Sequence, residues 1–121
     1  MGTVGVRLTH PPMSEQQLLT AVIKLAATLG WKTAHFSTAQ SSKGRWMTAV
    51  QGDGAGFPDL VCVRGERLLF IELKAPYRKP SDKQVEWLAE LAKVGEVYLW
   101  WPRDWHNGTI EAILKGERHE Q

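Results

Sequence analysis

Cysteine is almost missing from this chain. Cys62 stands alone among 121 residues, which rules out an internal disulfide and any zinc site assembled from several thiolates. In its apolar strand it reads as a small core residue. An excess of charge of one sign is also lacking: 15 Lys and Arg against 13 Asp and Glu leave a formal charge of +2. That mild basicity permits a nucleic-acid partner without arguing for one, so the placement of the charges carries more weight than their sum. No apolar run approaches the length that crosses a bilayer, and no apolar segment near the start reads as a secretory signal. A soluble intracellular protein without a membrane partner is expected. Internal repeats and linker-like stretches are absent too, and the length suits one domain around one hydrophobic core. Tryptophan, in contrast, is plentiful. Of six, three lie at Trp100, Trp101 and Trp105, where a buried core or a subunit contact is the ordinary use and base stacking the alternative.

Residues 1–13 are polar and proline-containing and read as a flexible tail. Ser14 with Gln17 three residues later forms a capping box. Leu18, Leu19, Val22, Ile23, Ala26 and Leu29 then follow at helical spacing up to Gly30. A strand over 31–37 comes next. Residues 38–57 are rich in Gly, Ser, Gln and basic side chains and read as a long loop or an irregular hairpin. Two strands follow, 59–63 and 67–74, joined by a tight turn at Arg64-Gly65-Glu66. Ser81 caps a second helix whose apolar face comprises Val85, Leu88, Leu91 and Ala92, with Gly95 as its stop. Residues 96–101 form a strand, and after Pro102 a short last helix runs through Ile110 to Leu114. The order is αβββαβα, which specifies an α/β fold with a mixed β-sheet flanked by helices.

Two charged groups sit where apolar strands begin and end, in the stretch "GFPDLVCVRGERLLFIELKAP". Burying a charge is costly unless it is paired, hydrogen-bonded or bound to a metal. Side chains alternate along a strand, so Glu72 and Lys74 share a face with Leu68 and Phe70. In a hairpin the start of the first strand lies opposite the end of the second, which brings Asp59 towards Glu72 and Lys74. Two close carboxylates repel, and one pKa rises unless a cation sits between them. A hard divalent ion such as Mg²⁺ takes oxygen ligands of this kind. Asp59 and Glu72, with the Leu73 main-chain carbonyl, are candidate metal ligands, and Lys74 is a candidate to orient a water or neutralise a phosphate oxygen. The ordinary alternative is a solvated ion pair at a strand end, worth under about 1 kcal/mol.

Four further features bear on the same site. Glu15 lies on the core-facing stripe of the first helix, as a further metal ligand, direct or through water, or as a first-turn acid favoured by the helix dipole. Gln84 completes a capping box with Ser81, or reaches a water or phosphate beside Lys74. His35, with Ser37 beside it, is either structural or a proton-transfer group, whereas His10, His106 and His119 lack metal-binding spacing. Basic residues cluster at Lys32, Lys43 and Arg45 and again at Arg78, Lys79 and Lys83. The second cluster directly follows the Glu-Leu-Lys strand, where a backbone phosphate has to approach.

"GFPDLVCVRGERLLFIELKAP" followed by "SDKQVEWLAEL" resembles the VRR-NUC branch of the PD-(D/E)xK nuclease superfamily, in particular its small stand-alone phage and bacterial members. The likeness takes in Glu15 and its helix, the Gly-x-Pro-Asp strand, the Glu-x-Lys strand and the Ser-x-x-Gln helix. It implies a restriction-endonuclease-like core over 14–121 and makes Asp59, Glu72, Lys74 and Gln84 the catalytic set, with Glu15 as the first-helix acid. It also implies a Mg²⁺- or Mn²⁺-dependent DNA endonuclease in the cytoplasm of a bacterial or phage-infected cell. By the same resemblance it acts as a homodimer on branched DNA, as a Holliday-junction resolvase does. A nickase, flap nuclease or non-specific DNase using the same residues is the enzymatic alternative. A catalytically silent DNA-binding module is the alternative of another class, and an RNA nuclease is a further one. Lys43, Arg45, Arg78, Lys79 and Lys83 are the expected DNA contacts.

Overall fold

The computed structural model describes residues 12–36, 39–40, 46–47 and 52–116. Ser37, Lys43, Arg45, His10, His119 and most of the expected N-terminal tail lie outside the described residues. Helix α1 spans Glu15–Thr28 and opens with the expected capping box, in which the Ser14 hydroxyl accepts from the Gln17 N–H and the Gln17 side chain accepts from the Ser14 N–H. The chain continues through β1 (Lys32–His35), a small two-stranded pair β2 (Ala39–Gln40) and β3 (Trp46–Met47), β4 (Leu60–Arg64) and β5 (Arg67–Leu73). Helix α2 (Asp82–Leu91), strand β6 (Glu96–Trp100) and helices α3 (Pro102–His106) and α4 (Thr109–Leu114) complete it. The four-stranded sheet has the order β1-β4-β5-β6, antiparallel except for the β5–β6 pair, which is parallel. This is the mixed α/β sheet with flanking helices that the pattern of elements predicts.

Strand β5 is the centre of the molecule. Its alternation divides two packing layers. Leu69, Ile71 and Leu73 join Leu60 and Cys62 of β4 in a buried cluster with Leu18, Val22 and Ala26 of α1 and Ile110, Ile113 and Leu114 of α4. Cys62 is fully buried there, and burial pushes its thiol up to about 11, as suits a core residue. On the other face Phe70 meets Phe57 of the loop before β4.

Two expectations need correction. The expected last helix stands as α4, but a further short helix, α3, precedes it, and Gly108 takes a left-handed φ of 86° between them, a conformation that a side chain with a Cβ resists. The apolar stripe of α2 also does not enter the core: Val85 is 50 % exposed, Leu88 and Leu91 are partly buried and Ala92 is exposed. The space above the sheet is filled instead by Phe57, whose ring makes edge-on contacts with Phe36, Phe70 and Trp87 at centroid distances of 5.6, 6.2 and 5.0 Å.

At the end of the sheet away from the catalytic candidates, Arg67 makes a two-pronged bond to Glu96 (2.9 and 2.7 Å) and donates to the Ile113 carbonyl. Arg64 donates to the Leu29 and Leu114 carbonyls, and the Trp31 indole N–H also donates to the Leu114 carbonyl, at 2.8 Å. These bonds satisfy carbonyls that helix ends leave without intrahelical partners.

Candidate active site

The hairpin register pairs Leu60 with Ile71, so the residue before β4, Asp59, falls opposite Glu72. Asp59 is held there from two sides. Its carboxylate accepts the Leu73 N–H at 2.9 Å, extending the β4–β5 ladder with a side chain, and its own carbonyl accepts the Phe36 N–H from the end of β1. The approach to Asp59 is equally constrained. Gly56 has a φ of 89°, and a Cβ there would sit 2.7 Å from the Lys83 carbonyl carbon, so the loop lies directly on the start of α2. Phe57 is locked in the aromatic cluster and Pro58 is buried.

Glu72 is 2 % exposed. Its Oε2 accepts the Gln84 side-chain N–H at 2.9 Å and lies 3.3 Å from the Lys74 ammonium. Its Oε1 is buried and has no hydrogen-bond partner among the described residues. A buried carboxylate oxygen of this kind is satisfied by a cation, or by a proton shared with Asp59 when Glu72 is neutral. The electrostatics agree. Burial raises the Glu72 pKa to about 7, the Asp59 charge adds to the rise, and Lys74 opposes it. Burial also raises the pKa of Asp59, opposed by the bond from Leu73, by the charges of Lys74 and His35 and by a hydrogen bond that a protonated Glu72 gives it. Two carboxylates that each resist ionisation side by side form a place where a divalent cation gains most.

Gln84 is thus double-acting. Its Oε1 accepts the Ser81 N–H at 2.8 Å and completes the cap of α2, while its Nε2 fixes Glu72. The sequence presents these two uses as alternatives, and both are realised by opposite ends of one amide. Lys74 is anchored through its own N–H, which donates to the Trp100 carbonyl at 3.0 Å. The chain thereby continues the β5–β6 pairing one residue past the strand.

Glu15, His35, Asp59 and Leu73 line one pocket of about 190 Å³ between the start of α1 and the sheet. The pocket brings His35 to the site, which the strand pattern did not decide. Glu15 acts on the Glu72 carboxylate through its charge. Among the described residues, however, no three His, Cys, Asp or Glu side chains converge closely enough to hold an ion together. The geometry therefore supports a pair of carboxylates at the centre, with Glu15 further out. The basic cluster after Lys74 also divides. Arg78 and Lys79 line a groove with Trp101 and Arg103, whereas Lys83 faces a different pocket with Asp53, Glu86 and Glu90. The turn of the chain at 76–80 separates them.

A family profile described as the VRR-NUC domain matches residues 14–99. The chain belongs to the VRR-NUC family. This is a nuclease family of the PD-(D/E)xK superfamily, whose members generally use divalent metals. The matched span includes Glu15, Asp59, Glu72, Lys74 and Gln84. No curated protein and no solved structure matches the chain. No helix among the described residues of this VRR-NUC chain is long and apolar enough to cross a membrane.

Sequence reasoning missed Phe57 and Trp87. Their signal was present, since an aromatic residue inside "GFPD" and another on the helix after the Glu-x-Lys strand both border the site. The Trp87 indole N–H donates to the Asp53 carbonyl at 2.9 Å, a second tie between α2 and the loop that delivers Asp59.

Proposed function

We propose that this chain is a divalent-metal-dependent DNA endonuclease that hydrolyses phosphodiester bonds at Asp59, Glu72 and Lys74. The observation that carries this reading is Glu72 Oε1, a buried carboxylate oxygen without a partner beside a second carboxylate. Asp59, Glu72 and the Leu73 carbonyl are the groups that would hold Mg²⁺, with Mn²⁺ as a substitute, and Glu15 would contribute through water. Bound there, the ion would supply positive charge to the scissile phosphate and would acidify a water.

The chain's own residues do the rest. The Leu73 N–H fixes one Asp59 oxygen and Gln84 fixes one Glu72 oxygen, so both carboxylates enter the reaction already oriented. The Lys74 ammonium, side chain 14 % exposed, offers charge to a phosphate oxygen or holds the attacking water. Arg78 and Lys79 take backbone phosphates on the side where the chain leaves β5. Branched DNA, a four-way junction in particular, and a homodimer presenting two sites to it are proposed on the family resemblance.

The test is a cleavage assay with purified protein and Mg²⁺ or Mn²⁺. It compares a labelled four-way junction with the matching linear duplex, single strand and flap, with Glu72→Ala as control. Paired nicks on the junction alone support the resolvase. Cutting of every substrate keeps the nuclease and removes the junction preference. Silence on all substrates with both metals, despite tight binding, overturns the catalytic reading in favour of a DNA-binding module.

A further inference from the structure

Two of the most unfavourable features of the described chain coincide at one residue. Tyr77 is 99 % exposed, and it holds a left-handed φ of 65°, the only positive φ among the described non-glycine residues. An aromatic ring standing free in water gains nothing from burial, and a left-handed backbone strains any residue with a Cβ. Neither feature helps the fold. Strained positions of this kind cluster at binding sites.

Its surroundings suggest what it binds. Strands β5 and β6 run parallel and end level, Leu73 beside Trp100. The chain segments that leave these ends form the two walls of a groove of about 860 Å³. One wall carries Tyr77, Arg78 and Lys79, the other Trp101, Arg103 and His106. The walls are tied together by the Trp101 indole N–H, which donates to the Arg78 carbonyl at 2.7 Å, and the Arg103 guanidinium lies over the Trp101 ring, 4.5 Å from its centre. The described lining therefore combines aromatic faces and the apolar surface of Met13 and three prolines with three permanent cations, and holds no carboxylate. The pocket on the far side of α2, with Asp53, Glu86 and Glu90 against Lys83, has the opposite character and would repel a phosphate. An occupant matched to the first groove has flat aromatic faces and a chain of negative charges. A nucleotide strand has both.

We propose that this groove receives an unpaired nucleotide of the DNA substrate, with Tyr77 stacking on its base and Arg78, Lys79 and Arg103 taking the phosphates on either side. After Lys74 the lining of the groove begins at Pro76, two residues on, so a base seated in it belongs to a strand passing the catalytic carboxylates. Bases paired in an intact duplex present only their edges. The groove thus selects DNA whose strands are parted beside the cut, and it gives the preference for branched DNA a physical basis in this chain. The inference rests on the nuclease reading above.

The test compares wild type, Tyr77→Phe and Tyr77→Gly for binding to a fork with an unpaired arm and to the matching linear duplex, by fluorescence anisotropy in EDTA so that nothing is cut. Tyr77→Gly removes the ring and relieves the strained φ, so its thermal unfolding stays at or above that of wild type. Its preference for fork over duplex should fall about tenfold, the size of one lost base–aromatic stack, while Tyr77→Phe keeps the preference. An unchanged preference in Tyr77→Gly overturns the proposal, as does equal loss on both DNAs or a Tyr77→Phe protein as poor as Tyr77→Gly. A Tyr77→Gly protein that is monomeric where wild type is dimeric makes the groove a contact between copies, and also overturns it. Failure of the nuclease reading looks different: wild type then cuts none of the substrates, whatever Tyr77 does to binding.

Discussion

Replacing Glu72 with glutamine separates the cost of a buried charge from the loss of a side chain. The folded protein holds the Glu72 proton up to about pH 7, against 4.5 for the free side chain. A raised folded pKa means that the folded state binds the proton more tightly than the unfolded one. The stabilisation is therefore complete below about pH 4.5 and is lost as the pH climbs to about 7. The separation of about 2.5 pH units corresponds, at about 1.4 kcal/mol each, to about 3–4 kcal/mol as an upper bound, of which the part between pH 5 and pH 8 is somewhat less. Glutamine keeps the shape, still accepts from Gln84 and does not ionise. In metal-free buffer wild type should lose up to about 3 kcal/mol relative to Glu72→Gln between pH 5 and pH 8. That is about 10 °C in Tm for a domain of this size. Thermal unfolding followed by circular dichroism in EDTA, at half-unit pH steps, measures it. Adding Mg²⁺ at pH 8 should then restore most of the wild-type deficit and do much less for Glu72→Gln, since a ligand that binds the folded state alone stabilises it. Parallel curves for the two proteins from pH 5 to pH 8 would refute the reasoning, because Glu72 would then carry no ionisation penalty.

Asp59→Ala should abolish cleavage and leave the protein folded, checked by turnover alongside thermal unfolding; collapse of the fold instead would make Asp59 a structural group. Lys74→Ala should lower kcat at least a hundredfold with a small change in the metal concentration needed for half-maximal rate. A change confined to metal affinity would remove its role at the phosphate. Arg78→Ala combined with Lys79→Ala should reduce the slope of log affinity against log salt by about 2, read from DNA binding titrations over 50–200 mM salt. Gly56→Ala should cost about 2–3 kcal/mol, because it meets both a left-handed φ and the Lys83 backbone; urea unfolding gives the value, and a loss under about 0.5 kcal/mol would show that the loop yields easily.

The sequence conveyed most of the frame because its strongest signals were local. Both capping boxes stand where Ser14 and Ser81 announce them, since a cap needs only the side chain and the amide three residues on. The facing of Asp59 and Glu72 was legible because the turn after Arg64 is tight, and a tight turn leaves little freedom in register. What stayed hidden depends on distance in the chain. Val85 sits at helical spacing for a core face, but Phe57 from the preceding loop already occupies the sheet beneath α2. Gln84 was read as a cap or a site residue because its two amide ends were treated as one group. Lys83 joined Arg78 and Lys79 in the linear pattern, yet the start of α2 turns it to the other side.

Strand β5 carries a charge cluster at each end, and the two are built to different standards. At Arg67 all three guanidinium nitrogens donate, to Glu96 and to the Ile113 carbonyl, whereas at Glu72 one oxygen is left without a partner among the described residues. Five residue steps of extended chain, about 16 Å, separate Arg67 from Glu72. At that distance substitutions act independently. Stability and reactivity are therefore adjustable separately along a single strand: repacking around Arg67 can strengthen the protein without touching turnover, and the weakness at Glu72 can be kept for as long as the reaction needs it.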